Sequence, residues 1–126
     1  MAKGIHLSSI RQIAVTVRDV GTALPFYQDV LGLPFLFSAG PELAFLSAGE
    51  TRIMLSTGQG AGPAGAASVL YFSVPDAAAA HAEIVGRGAT DEREATLTAK
   101  MPDHELWIAF VRDPDGNLIG LMEERR

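Results

Sequence analysis

Two apolar runs, 106–111 and 118–122, flank Asp113-Pro114-Asp115-Gly116-Asn117 near the end of the chain. Such runs around a short Pro/Asp/Gly segment specify two antiparallel strands joined by a turn. Pro114 presets a negative φ, Asp113 can accept from amides just downstream, and Gly116 or Asn117 can take the positive φ that closes the loop. Local chemistry therefore pins this hairpin, and the other segments must fit around it.

A fainter copy of the hairpin lies earlier. Ala44-Phe45-Leu46, Gly49-Glu50 and Ile53-Met54-Leu55 run parallel to Ala109-Phe110-Val111, Asp115-Gly116 and Ile119-Gly120-Leu121. Residues 13–19 and 70–76 form a second matched pair, each an apolar strand ending in Asp, and each precedes a helical stretch that stops at a glycine, Gly32 or Gly88. The chain reads as a two-fold repeat of strand, helix and three strands.

In chain order, 1–8 is a polar lead-in. From 9 to 17, alternation puts Ile13, Val15 and Val17 on one face and Gln12, Ala14 and Thr16 on the other. The first face is predicted to meet a helix. That helix is expected to begin near Gly21 or Thr22, to be capped by Asp19 or Thr22, and to hold Pro25 in its first turn, where a missing N–H costs little. Strands are predicted over 34–38, 42–47 and 51–57. Residues 58–67, GQGAGPAGAA, read as a flexible connection. The second half repeats the order, with a strand over 69–74, a helix over 77–87 capped by Asp76, a strand over 90–96 and a polar loop over 97–105. His81 is expected on the surface of its helix. The organisation is one domain, 1–126, with modules over 9–57 and 68–124.

The formal net charge is −5 with a pI near 5.0, and no Lys/Arg stripe carries interleaved aromatics, so a nucleic-acid partner is excluded. There is no cysteine, which removes disulfides, thiolate metal sites and a Cys nucleophile. The start, MAKGIHLSS, lacks the apolar core of a signal peptide, and no long uncharged apolar run follows, so a cytoplasmic protein with no membrane partner is expected. No Ser-His-Asp arrangement or strained nucleophile turn stands out.

The segments IAVTVRD at 13–19, FYQDVLGL at 26–33 and FVRDPDGNLIGLM at 110–122 make the chain resemble the vicinal oxygen chelate superfamily. That group includes glyoxalases, bleomycin-resistance proteins, methylmalonyl-CoA epimerases and ring-cleaving dioxygenases. The resemblance implies an α+β fold in which two βαβββ modules form a curved mixed sheet around a cavity, and it implies a homodimer. In metal-dependent members, four inward side chains, usually His, Glu or sometimes Gln, hold a divalent ion. The matching positions here are Gln12, Met54, Val69 and Gly120, of which Gln12 alone offers a hard donor. Neither a metal nor a cofactor is therefore expected.

Inward parity also includes Arg52 and Ser56, Tyr71 and Ser73, and Leu118 and Met122. An apolar lining with a few polar groups suits a small molecule. Val69, Leu118 and Met122 read as core packing. The ligand-binding set is read as Gln12, Arg52, Met54, Tyr71, His104 and Trp107, with His104 closing from the 97–105 loop. This describes a small-molecule binding protein that holds a partly apolar ligand without a metal. The alternative is a glyoxalase-, epimerase- or dioxygenase-type enzyme using a divalent metal or a His104/Glu105 acid–base pair. A scaffold with a merely filled core is the third reading.

Overall fold

The computed structural model describes residues 4–7, 9–57, 64–65 and 68–126. Most of the expected glycine-rich connection, 58–63 and 66–67, lies outside them. The first module runs β1 (Gln12–Thr16), α1 (Val20–Pro25), a wide helical turn (Phe26–Val30), β2 (Phe35–Ser38), β3 (Leu43–Ala48) and β4 (Thr51–Ser56). The second runs β5 (Leu70–Ser73), α2 (Ala77–Gly86), β6 (Thr90–Lys100), β7 (Glu105–Arg112) and β8 (Leu118–Arg125).

The two sheets have the same design. Their orders are β1-β4-β3-β2 and β5-β8-β7-β6, with β1/β4 and β5/β8 parallel and the remaining pairs antiparallel. Each parallel pair needs a crossover, which the module's helical segment supplies. This is the α+β pair of βαβββ modules that the repeat implied.

Alternation along each strand decides what is buried. Val15, Val17, Leu46, Ile53 and Leu55 from the first sheet join Leu70, Val111, Ile119 and Leu121 from the second in one apolar cluster, with Tyr27, Phe26 and Ile84 from the helical segments. Burying one such side chain contributes roughly 1.5–3 kcal/mol. Both helix-bearing sides thus share a core, which leaves the opposite face of each sheet to be covered by other means.

Three expectations need correction. Asp19 caps α1 as expected, accepting from the Thr22 amide at 2.8 Å, but the helix starts at Val20, so Pro25 falls beyond the first turn. There its missing amide and its ring disturb the helix. The chain widens straight afterwards into a turn closed by Leu31 N–H donating to the Phe26 carbonyl at 2.9 Å. Next, 97–105 is not a loop. β6 continues to Lys100, pairing Leu97 with Trp107 and Lys100 with Glu105, so only a short turn remains. The β-branched Thr96 and Thr98 suit a strand once β7 lies alongside, and tertiary pairing overrode the polar composition. Finally, His81 is buried, and its Nε2 lies 2.8 Å from Oδ1 of Asp91, tying α2 to β6. Among the described residues no helix is long and apolar enough to cross a membrane.

Candidate functional site

Three of the expected ligand-binding residues meet on the open face of the first sheet. The β1/β4 register sets Gln12 beside Arg52 and Ala14 beside Met54. Gln12 Oε1 accepts from Arg52 Nε at 2.7 Å, and Gln12 Nε2 donates towards Met54 Sδ at 3.6 Å. The Arg52 guanidinium sits over the Phe45 ring, 5.3 Å from its centroid, and Phe45 stacks on Phe37 at 4.6 Å and 24°. Phe37 is half exposed, so the stack presents an aromatic surface to solvent. Sequence reasoning missed both phenylalanines. Phe45 was within reach of the alternation argument, because β3 pairs it with Met54. Phe37 stands in an unbroken apolar run, Phe35-Leu36-Phe37, where alternation gives no signal.

The second sheet repeats the arrangement around Tyr71, which β5/β8 pairing places beside Gly120. The Tyr71 ring lies on that glycine so closely that an added Cβ would come within 2.5 Å of it. Phe110 meets Tyr71 edge-on at 5.9 Å, and the Arg93 guanidinium lies over Phe110 at 4.8 Å. Tyr71 is 50% exposed.

His104 and Trp107 lie apart from these faces. His104 Nδ1 pairs with Asp103 Oδ1 at 2.7 Å in the β6–β7 turn, and Arg126 donates to the other Asp103 oxygen at 2.7 Å. The His104 and Arg126 hydrogen bonds hold the Asp103 carboxyl below the usual carboxylate range. Glu105 accepts the Trp107 indole N–H at 3.0 Å, so His104 and Glu105 do not form a hydrogen-bonded pair. Trp107 is opposite Glu123 in the β7/β8 ladder, on the helix-bearing side, with Arg125 stacked 4.2 Å over it.

A hollow of about 620 Å³ lies in the seam between the modules, lined by Ile13, Leu33, Pro34 and Ile53 of the first and by Val69 and Phe72 of the second. Of the expected ligand contacts it holds Tyr71 alone. His104 and Glu105 instead share a shallower depression with Lys100, Met101, Arg125 and Arg126.

The four positions matched to the metal-dependent members do not make a metal site. The Gln12 amide is engaged by Arg52 and Met54, Met54 offers a thioether, Val69 has no donor, and Gly120 lies under the Tyr71 ring. Divalent first-row ions need three or four converging nitrogen, oxygen or thiolate donors. Among the described residues no cluster of three or more His, Asp or Glu side chains could hold one.

The chain's likeness to known proteins agrees with its fold. No curated protein sequence matches it. An integron cassette protein from the V. cholerae mobile metagenome superposes with TM-score 0.78 at 22% identity, over 96% of this chain and 98% of that one. A lactoylglutathione lyase from Agrobacterium tumefaciens gives 0.74 at 21% identity, over 94% and 95%. An antibiotic-binding protein from Streptomyces sp. CB03234 gives 0.75 at 22% identity, over 96% and 99%. The family model for the glyoxalase, bleomycin resistance protein and dioxygenase superfamily matches residues 9–121, nearly the whole chain, and the protein belongs to that superfamily.

Proposed function

We propose that the protein binds a small, partly apolar molecule on its open sheet faces, without a metal, as a homodimer. The observation that carries this reading is the cluster of Gln12, Arg52 and Met54 beside the Phe37–Phe45 stack. Aromatic rings with a few oriented polar groups are the usual makeup of a small-molecule site. The antibiotic-binding neighbour is in keeping with it, although at 22% identity the likeness concerns the fold.

A second copy is part of the proposal because one chain leaves too much apolar surface open. Phe35, Leu36, Phe37 and Tyr71 are each at least 40% exposed, as are Ile5, Leu7 and Ile10 ahead of β1. Large apolar side chains exposed in this number suit an interaction site. A partner laid across the first sheet would convert an open face into an enclosed one and shield the ligand from water. The reading leaves Gln12, Arg52, Met54 and Tyr71 as contacts, and it assigns none to His104, Glu105 or Trp107.

The test is a thermal-shift screen of planar aromatic compounds, antibiotics included, against the parent and the Phe45→Ala and Tyr71→Ala variants, with sedimentation velocity on the unliganded protein. Hits that raise the parent's melting temperature but lose their effect on either variant, together with a dimer at micromolar concentration, are expected. A screen in which no compound shifts the parent would overturn the binding reading, and a monomer would overturn the assembly.

A further inference from the structure

We infer that the bound molecule is an aromatic anion, with Arg52 and Arg93 as the two groups that receive its negative charge. The inference rests on the ligand-binding reading above and adds the chemical class of the ligand.

The protein has more acidic than basic residues, 15 Asp and Glu against 10 Lys and Arg, so an arginine has carboxylates to choose from. Most arginines have found one. Arg18 pairs with Asp115, Arg87 with Glu83, Arg112 with Glu92, Arg125 with Glu123, and Arg126 with Asp103 and Glu124. Among the described residues Arg11, Arg52 and Arg93 have not, and of these Arg52 and Arg93 lie over aromatic rings. Arg52 spends its Nε on the neutral amide oxygen of Gln12, and among the described residues its terminal nitrogens make no ion pair with a carboxylate. Glu50 lines the same shallow depression as Arg52 and Arg11 but does not pair with either. Arg93 makes a ring contact with Phe110 and, among the described residues, no ion pair.

The same grouping has arisen on both modules. Each open face holds an arginine stacked on a phenylalanine, and the two phenylalanines, Phe45 and Phe110, occupy corresponding places in the sequence repeat. Each face adds a second, half-exposed ring, Phe37 or Tyr71, that offers a free surface for stacking. A flat π system would lie on the rings while a carboxylate, sulfonate or phenolate took the guanidinium fork, whose paired N–H groups match such oxygens. A cationic ligand would be repelled by both arginines. A neutral one would leave them unpaired as they are now.

Two fluorescent probes with the same ring system separate these cases. 8-Anilinonaphthalene-1-sulfonate carries the anion, and N-phenyl-1-naphthylamine lacks it. The parent is expected to bind the sulfonate at least about fivefold more tightly than the neutral amine. Arg52→Gln and Arg93→Gln should each lower sulfonate affinity by about fivefold or more and leave the amine within about twofold, the scale of one partly solvated charged hydrogen bond. Arg52→Lys should restore part of the loss. Circular-dichroism melts would confirm that the variants stay folded. If both probes bind equally and the arginine variants change neither affinity, the anion assignment is overturned while the ligand-binding reading stands. If neither probe binds, both fail. If Arg52→Gln weakens self-association in sedimentation and leaves sulfonate binding intact, the arginine serves the second copy and the assignment is wrong.

Discussion

The Tyr27 hydroxyl donates to Oδ2 of Asp113 at 2.7 Å, joining the wide helical turn of the first module to the β7–β8 turn of the second. Both groups are buried, and Tyr27 has no measurable exposure. Asp113 also accepts from the amides of Asp115 and Asn117 and from Asn117 Nδ2, so the residue that shapes the turn also holds the modules together. Burial, reinforced by the neighbouring Asp113 charge, pushes the tyrosine hydroxyl far above its ordinary range and keeps it a donor at any physiological pH.

Tyr27→Phe therefore removes one donor from a buried carboxylate without changing the packing of the ring. A loss of roughly 1–3 kcal/mol in urea unfolding is expected, the usual cost of leaving a buried polar group short of a partner. A loss below 0.5 kcal/mol would show that this contact is incidental to stability.

The turn chemistry was legible because it is local, and the repeat because the two halves of the chain carry the same pattern. Asp113, Pro114 and Gly116 declare the turn, and Gly116 takes a φ of +89° as required. Gln12, Arg52 and Met54 were legible as one group because strand alternation fixes which side chains share a face, and the same rule puts Tyr71 beside Gly120 on the second sheet. Trp107 does not share those faces, since the β7/β8 register puts it opposite Glu123, on the side of Ala109 and Val111. The extended β6 was illegible for another reason. Its residues gain their strand conformation from β7, a pairing that composition does not announce.

Gly120 tests the close approach of Tyr71. Gly120→Ala would place a methyl within 2.5 Å of the ring, which is half exposed and can swing outward. The expected stability change is within about 1 kcal/mol, because the displaced group is a side chain with room to move. Binding of any aromatic ligand should fall, since the ring surface has turned. Titration with a compound from the thermal-shift screen checks this, and an unchanged affinity would remove Tyr71 from the site.

Glu123 gives a pH dependence of definite sign. The hydrogen bonds from Arg125 and from the Ala77 amide hold its carboxyl below the usual range. A carboxylate with a folded pKa below its unfolded one contributes stability fully present above the unfolded value, about 4.3, and lost as pH falls through the folded value. Glu123→Gln should cost about 0.5–1 kcal/mol at pH 7 and progressively less as the pH approaches 3. Urea unfolding of parent and variant at several pH values measures the difference. A gap that widens in acid would contradict the assignment.

His104→Ala should leave ligand affinity within about twofold and stability within about 0.5 kcal/mol, since its hydrogen bond is to the exposed Asp103. A large loss of binding would bring the β6–β7 turn back into the site.

The central claim is that ligand binding needs no metal, and calorimetric titration of protein dialysed against a chelator tests it most directly. The compound found by the thermal-shift screen should bind with the same affinity and heat before and after chelation, and added Zn, Ni, Fe or Mn should change neither. Binding abolished by the chelator and restored by one of these ions, at about one per chain, would contradict it.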